Sequence, residues 1–231
     1  MPSDTRQSDP AGDDEAPGLT RLPGGRHGLP REFVIHNQRE RLIAGLAEAV
    51  SRRGFADATI ADITTNAGVS RRTFYEHFAS KEECFLAAYD LVLDHLRARI
   101  SEAAGERASW GERVVAAVNA ALRLLADEPE FARLVTLEAV VAGKAGAERY
   151  RQSLDQLVPF LKQGREEAPG AYPLPPSTEE ALIGGVASLV AREINAGRAR
   201  ELPALVPEVV NLLLLPYLGA AEAERLAQSA D

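Results

Sequence analysis

Apolar residues first recur at helical spacing in the stretch that begins near His36. In NQRERLIAGLAEAVSRRGF, Leu42, Ile43, Leu46, Ala49 and Val50 fall on one stripe of an amphipathic helix, with Asn37 as its cap and Gly54 as its stop. Thr59 precedes a short second helix, IADITTNAGV, which turns Ile60 and Ile63 inward and ends at Gly68. Ser70 begins a third, RRTFYEHF. Ser80, with Glu83 three residues on, marks the start of a fourth by the capping-box pattern. Before this region, residues 1–30 are rich in Pro, Gly and Asp and carry no periodicity, which predicts a disordered arm. After it, helical patterns cover 109–126, 127–142, 145–167, 178–196 and 203–218, Pro159 interrupts the third of these, and residues 221–231 read as a C-terminal tail. The fold class this predicts is all-α.

The spacing of the first three helices is that of a helix-turn-helix unit. Asn66-Ala67-Gly68-Val69 supplies the tight turn, because Gly68 reaches left-handed backbone angles without steric cost. Ser70 then caps the third helix, whose first turn presents Arg71, Arg72 and Thr73 outward. Arginine reaches guanine edges bidentately, and it also holds phosphates.

Composition and charge narrow the picture. The 231 residues are 45% apolar and 26% charged but only 6% aromatic, an ordinary globular balance with few strand-favouring residues. A single cysteine, Cys84, excludes an internal disulfide framework and any multi-cysteine zinc site, and reads as a small structural residue. No apolar run approaches the roughly 18 uncharged residues of a membrane span, so a soluble, cytoplasmic protein with no membrane partner is expected. Net charge is −8, yet residues 21–81 carry +4, with ten Lys and Arg against six acids. That local basic stretch points to an anionic partner. Arg21, Arg26, His27 and Arg31 flank the arm, either as a minor-groove extension or as incidental charge on a tail. Nucleophile-elbow, Walker, dinucleotide-binding, HExxH and paired CxxC patterns are absent, so no enzyme and no cofactor is expected. The four histidines are not spaced as a ligand set. Asp90, Asp94 and His95 read as a solvated helix face rather than a metal site.

Residues 40–89, most closely TIADITTNAGVSRRTFYEHFASKEECFLAAYD, resemble the DNA-binding domain of TetR-type transcriptional regulators. The resemblance rests on Gly54-Phe55, Thr59, Ile63, Ala67-Gly68-Val69-Ser70, Phe74-Tyr75, His77-Phe78 and Lys81-Glu82. It implies about nine helices, a homodimer and an effector pocket in the C-terminal domain. Carried over by position, it implies that Thr59 donates to a DNA phosphate, that Ser70, Arg71, Arg72 and Thr73 meet the groove, that Tyr75 and His77 grip the backbone, and that Lys81 adds a phosphate contact.

The organisation expected is an arm over 1–30, a helix-turn-helix domain over 31–82, a helical effector-binding and dimerisation domain over 83–220, and a tail over 221–231. Trp110, Phe131, Leu134, Leu137, Val141, Tyr150, Leu154 and Phe160 are candidates for an apolar effector pocket, although their spacing fits an ordinary core equally well. Glu138 and Arg133 interrupt that set, either to orient a polar ligand group or as an exposed ion pair. Leu182, Gly185, Val186, Leu189, Val209 and Leu213 are candidates for a four-helix dimer interface, against the alternative that these helices close the monomer core. The function expected is a ligand-responsive homodimeric repressor that binds a palindromic duplex through its third helix and is released by a small-molecule effector. The alternative is a helical interaction module, or an activator without small-molecule control.

Overall fold

A computed structural model describes residues 31–105, 109–167 and 173–229; the arm expected over 1–30 lies outside them. All regular structure among the described residues is helical. The helices are α1 (Arg31–Asp57), α2 (Ile60–Ala67), α3 (Arg71–His77), α4 (Lys81–Ala104), α5 (Trp110–Asp127), α6 (Pro129–Arg133), α7 (Ala139–Val141), α8 (Gly143–Asp155), α9 (Val158–Lys162), α10 (Gly164–Glu167), α11 (Thr178–Asn195), α12 (Val206–Leu218) and α13 (Ala220–Gln228). A π-helical turn, Leu134–Glu138, joins α6 to α7, and a 3₁₀ turn, Ala199–Leu205, leads into α12. Taken as single interrupted bodies, 129–141 and 143–167 bring the described residues to ten helices, against the nine or so that the resemblance implied.

Local chemistry explains most boundaries. Thr59, Ser70, Ser80 and Ser109 each accept a backbone N–H of the first turn that follows, so α2 to α5 all begin on a side-chain cap. At α4 the expected box is displaced by one residue: Glu83 accepts from the Ala79 N–H at 2.6 Å rather than from Ser80. Helix α1 starts at Arg31, ahead of the expected position, and Asn37 lies inside it instead of capping it. Nothing in residues 31–36 breaks a helix, and Pro30 immediately precedes its first turn. Gly54 has φ 75°, which ends the regular part of α1 before a last turn over Phe55–Asp57. Pro159 sits in the first turn of α9, so the 145–167 pattern divides there as expected. The expected tail is not one. Ala220–Gln228 is helix α13, with Ala223, Leu226 and Ala227 buried, because AAEAERLAQ combines strong helix formers with apolar residues at i, i+3 and i+4.

The α1–α3 unit packs closely because of one residue. A Cβ at Gly45 would lie 2.6 Å from the Ile63 carbonyl oxygen and 2.9 Å from the Ala67 nitrogen. Asn66 Nδ2 donates to the Gly45 carbonyl at 3.1 Å, and Arg41 closes the end of α2 by donating to the carbonyls of Ala67 and Gly68. The obstructing atoms are backbone, so relief requires α1 and α2 to separate. Gly45→Ala is therefore expected to lower unfolding free energy by about 1–3 kcal/mol, which thermal denaturation would measure.

The C-terminal part is anchored where α5, α10, α11 and α12 meet. Trp110 donates its indole N–H to the Phe160 carbonyl at 3.1 Å and stacks edge-on against Tyr217, ring centroids 4.9 Å apart. Gly164 leaves room for the indole, since a Cβ there would fall 2.5 Å from Trp110. Glu179, 1% exposed, accepts from Arg165 Nε at 2.7 Å, from Arg165 Nη2 at 2.9 Å and from the Tyr217 hydroxyl at 2.7 Å. The stretch Ala199–Leu218 has a mean hydropathy of 1.4, apolar and long enough for a membrane span on those grounds alone. Val206, Val209, Val210, Leu213, Leu214 and Tyr217 are nevertheless turned into the protein core.

Candidate functional site

The exposed end of the helix-turn-helix unit carries the expected cations. Arg71 and Arg72 are both exposed on the first turn of α3. Arg72 forms only a solvated pair with Glu76 at 3.0 Å, and Arg71 lies over the Tyr75 ring, 5.8 Å from its centroid, with Nη2 3.4 Å from the hydroxyl. Exposed pairs of this kind are worth about 0–1 kcal/mol, so both guanidiniums are available to another partner. Phe74, fully buried, and Phe78 fix the opposite face of α3 and set the direction in which the arginines project. Tyr75 stands half exposed beside them.

The other expected contacts divide. Ser70 is spent on its cap: its Oγ accepts from the Thr73 N–H at 3.0 Å and meets Thr73 Oγ1 at 2.9 Å. Thr59 is exposed, but its hydroxyl donates to Asp62 Oδ2 at 2.6 Å, and the Thr59 N–H does so at 3.0 Å. These bonds hold the Asp62 carboxyl below its usual range, so an anion stands beside Thr59 where a phosphate was expected. His77 turns toward α1, with Nε2 3.3 Å from Gln38 Oε1; burial, reinforced by Arg39, lowers its pKa and favours a neutral ring. Lys81 departs furthest from expectation. Its ammonium donates to the carbonyls of Phe55 at 2.6 Å, Ala58 at 2.8 Å and Ala56 at 3.3 Å, and lies 4.3 Å from the Phe55 ring centroid. Its three donors are taken up by the last turn of α1 and by Ala58 just after it.

That same turn is held from the opposite side by Glu138. Its Oε2 accepts the Phe55 N–H at 2.8 Å and its Oε1 accepts from Arg133 Nε at 3.0 Å, in a position only 4% exposed. Glu138 thus belongs neither to a ligand pocket nor to an exposed ion pair. It ties the π-helical turn to the last turn of α1, while Lys81 ties the start of α4 to it.

An apolar cavity of about 280 Å³ opens among α4, α5, α8, α9, α11 and α12. Leu93, Leu96 and Ile100 of α4, Val114 and Val118 of α5, and Val186 and Val190 of α11 are among its walls. Tyr150, Leu154 and Phe160 line it as expected, whereas Trp110, Phe131, Leu134, Leu137, Glu138 and Val141 do not. Trp110 and Leu134 are core residues, and Val141 is exposed. Val135 and Thr136, on the π-helical turn that carries Glu138, also border the cavity.

Three residues expected at a dimer interface, Val186, Val209 and Leu213, face the cavity inside the subunit instead. Of the others, Leu182 and Leu189 are half-buried and Gly185 is exposed. Cβ atoms at Gly184 and Gly185 would meet nothing, and Leu212 and Leu215 are 36% and 44% exposed. Cys84 is fully buried among apolar residues, and burial pushes its thiol up to about 12, so it is inert. Asp90 and Asp94 pair with Arg149 and Arg97, and no group of potential metal ligands occurs among the described residues.

Comparison with known proteins fits this geometry. Residues 42–88 match the family model for bacterial regulatory proteins of the tetR family. The HTH-type transcriptional activator FasR of Mycolicibacterium smegmatis is 32% identical over 131 residues, covering 55% of this chain and 58% of FasR. The chain therefore aligns with little more than half the length of that relative. The HTH-type transcriptional regulator YdgC of Bacillus subtilis is 27% identical over 192 residues, 78% of this chain and 92% of YdgC. Among solved structures, the fatty acid degradation regulator FadR of Bacillus halodurans superposes with a TM-score of 0.69 at 21% identity, covering 77% of this chain and 94% of its own. FadR of Bacillus subtilis, solved with stearoyl-CoA, gives 0.67 at 20% identity, covering 78% of this chain and 98% of its own. At such identities the superpositions establish a shared fold. The similarity to tetR-family bacterial regulatory proteins lies in residues 42–88, the helix-turn-helix domain, and the chain as a whole shares the fold of the solved structures above.

Proposed function

We propose that the protein is a homodimeric, ligand-responsive transcription regulator, a repressor that binds a palindromic operator through α3 and is released when a small apolar molecule occupies the cavity. Residues 31–82 read the DNA, and 83–220 hold the ligand and the partner subunit. In a two-fold dimer the exposed faces of α11 and α12, around Gly184, Gly185, Leu212 and Leu215, meet their symmetry mates. Two α3 helices about 34–36 Å apart then enter successive major grooves.

The observation that carries this reading is the grip of Glu138 on Phe55. A ligand resting on Val135 and Thr136 touches the turn whose last residue holds the end of α1. One ligand contact thereby bears on the domain that carries Arg71 and Arg72. Helix α4 supplies a second link, since Lys81 holds the same turn and Leu93 and Leu96 wall the cavity. A ligand that favours another arrangement of this turn shifts the population away from the DNA-binding state, and DNA must weaken ligand binding by the same factor. Glu138→Ala leaves the Phe55 N–H without its acceptor. It is expected to cost about 1–3 kcal/mol in unfolding melts and to shrink the change in DNA affinity that a ligand produces.

FasR is named an activator, so activation through the same contacts is the second reading. The test is fluorescence anisotropy of the protein with the intergenic DNA beside its own gene and with a scrambled duplex, at two salt concentrations, followed by transcription from that DNA in vitro. Selective, salt-sensitive binding with lowered transcription supports the repressor; raised transcription supports the activator. Binding no tighter than to the scrambled duplex counts against both.

A further inference from the structure

Two arginines of the helix-turn-helix unit stand on aromatic rings, and among the described residues no carboxylate pairs with either. Arg71 lies over Tyr75, 5.8 Å from the ring centroid, and the exposed Arg39 of α1 lies over Phe78, 5.1 Å from the centroid. Arg52, Arg53 and Arg72 of the same unit differ, since each pairs with a carboxylate: Glu48 at 2.5 Å, Asp62 at 3.8 Å and Glu76 at 3.0 Å. A ring, unlike a carboxylate, takes up none of the guanidinium N–H donors in an ion pair.

Phe78 caps the C-terminal end of α3, so the two guanidiniums mark opposite ends of that helix. A row of rings joins them: Tyr75 meets Phe74 with centroids 5.5 Å apart, and Phe74 meets the buried Phe78 at 5.8 Å. Seven steps of helical rise from Arg71 to Phe78 span about 10 Å. The major groove is about 12 Å wide and about 8.5 Å deep, with phosphates along its rims. Recognition helices of this motif enter with their N-terminal residues on the base edges. A helix that sets Arg71 on the groove floor therefore brings its other end to the height of the phosphates. The two side chains expected to grip the backbone there are turned toward α1 instead. His77 meets Gln38, and the Lys81 ammonium donates to carbonyls from Phe55 to Ala58. Arg39 stands exposed at that same end.

We infer that Arg39 is a DNA-backbone contact, holding a phosphate at the groove rim while Arg71 and Arg72 reach the bases. Helix α3 is then gripped at both ends, by base edges at one and by the sugar-phosphate chain at the other. The inference rests on the DNA-binding reading above and adds to it a residue from α1, outside the turn and the recognition helix. A phosphate contact fixes the register of the protein on the duplex and carries no sequence information of its own. Arg39 accordingly adds affinity for every duplex alike, and selectivity stays with α3.

Anisotropy titrations of the full chain against the intergenic and the scrambled duplex, repeated over a range of salt concentrations, test this. Arg39→Met removes the charge and keeps an apolar stem over Phe78. Arg39→Lys keeps the charge. Arg225→Met removes the same charge from α13, where Arg225 pairs with Glu222. For Arg39→Met the Kd of both duplexes is expected to rise roughly three- to tenfold at physiological salt, with their ratio unchanged. The slope of log Kobs against log salt should become shallower by about 0.9, the release of one phosphate's counterions. Arg39→Lys should restore most of that slope, and Arg225→Met should leave it at the wild-type value. A wild-type slope in Arg39→Met, or one shared with Arg225→Met, overturns the inference while leaving α3 as the DNA-reading element. Equal impairment of Arg39→Lys and Arg39→Met assigns the effect to packing on Phe78 and overturns it too. Loss of selectivity in Arg39→Met, with the scrambled duplex bound as before, makes Arg39 a base reader and also overturns it. Wild-type protein that shows no salt-sensitive binding to either duplex overturns the inference together with the DNA-binding reading.

Discussion

With Arg71 and Arg72 both replaced by alanine, the Kd for a specific duplex is expected to rise roughly 30- to 10,000-fold, because each bidentate arginine–guanine contact is worth about 1–3 kcal/mol. Both side chains project from the first turn of α3, and neither supports the fold. The Arg72–Glu76 pair is solvated, and Arg71 touches only the exposed Tyr75. Circular dichroism and the melting temperature should therefore match the wild type. Single variants would separate the roles: a residue that reads a base relaxes selectivity at one position, whereas a residue that holds a phosphate weakens all duplexes alike and reduces the salt slope by about one. Unchanged specific binding by the double variant would show that sequence is read elsewhere.

The largest loss of stability is expected at Glu179. Its carboxylate is almost fully enclosed, and Arg165 and Tyr217 both donate to it. Glu179→Ala strands the Arg165 guanidinium and the Tyr217 hydroxyl, and removing one member of a buried pair costs about 3–5 kcal/mol. Arg165 also donates to the carbonyls of Leu174 and Pro175, so the connection into α11 loosens in the same variant. The pH dependence follows from the same contacts. Hydrogen bonds from Arg165, and then from Tyr217, hold the Glu179 carboxyl at about 2, well below its ordinary value of 4.5, despite opposition from burial. The folded state thus binds this proton less readily than the unfolded state. The stabilisation is complete above about pH 4.5 and is lost as pH falls toward 2. Melts from pH 6 down to 2.5 should show the wild type losing stability faster than Glu179→Gln, which has no charge to neutralise. Parallel curves would contradict this role for the carboxylate.

The features legible in the sequence are those whose causes are local. Thr59, Ser70 and Ser80 cap helices through contacts with residues three positions on, and Gly68 takes a left-handed conformation where the turn demands it. The outward position of Arg71 and Arg72 is legible because a cap and a turn of known geometry determine which way the first turn of α3 faces. What escaped reading depends on partners far along the chain. Lys81 carries the position of a phosphate contact, yet its donors meet carbonyls 23 to 26 residues earlier. Glu138 interrupts an apolar run, and nothing nearby indicates that it reaches Phe55 across 83 residues. Gly45 looks like any helix-interior glycine until α2 is laid across it. The cavity follows the same rule. Apolar stripes on α5, α8 and α11 are equally consistent with a filled core or a hollow one, and only assembly reveals that Val209 and Leu213 border a space inside the subunit. Helix α13 is the exception, since its cause is local: the periodicity is plain in AAEAERLAQ.

We propose that the surface built on Arg71 and Arg72 recognises a particular DNA sequence in a two-fold arrangement. The most direct measurement is selection from a pool of random duplexes by the purified protein, followed by sequencing of the bound fraction. Enrichment of an inverted repeat, its half-sites one helical turn or a multiple of it apart and its enrichment lost with the Arg71→Ala/Arg72→Ala variant, is the predicted result. A bound fraction no different from the starting pool at physiological salt would contradict the claim.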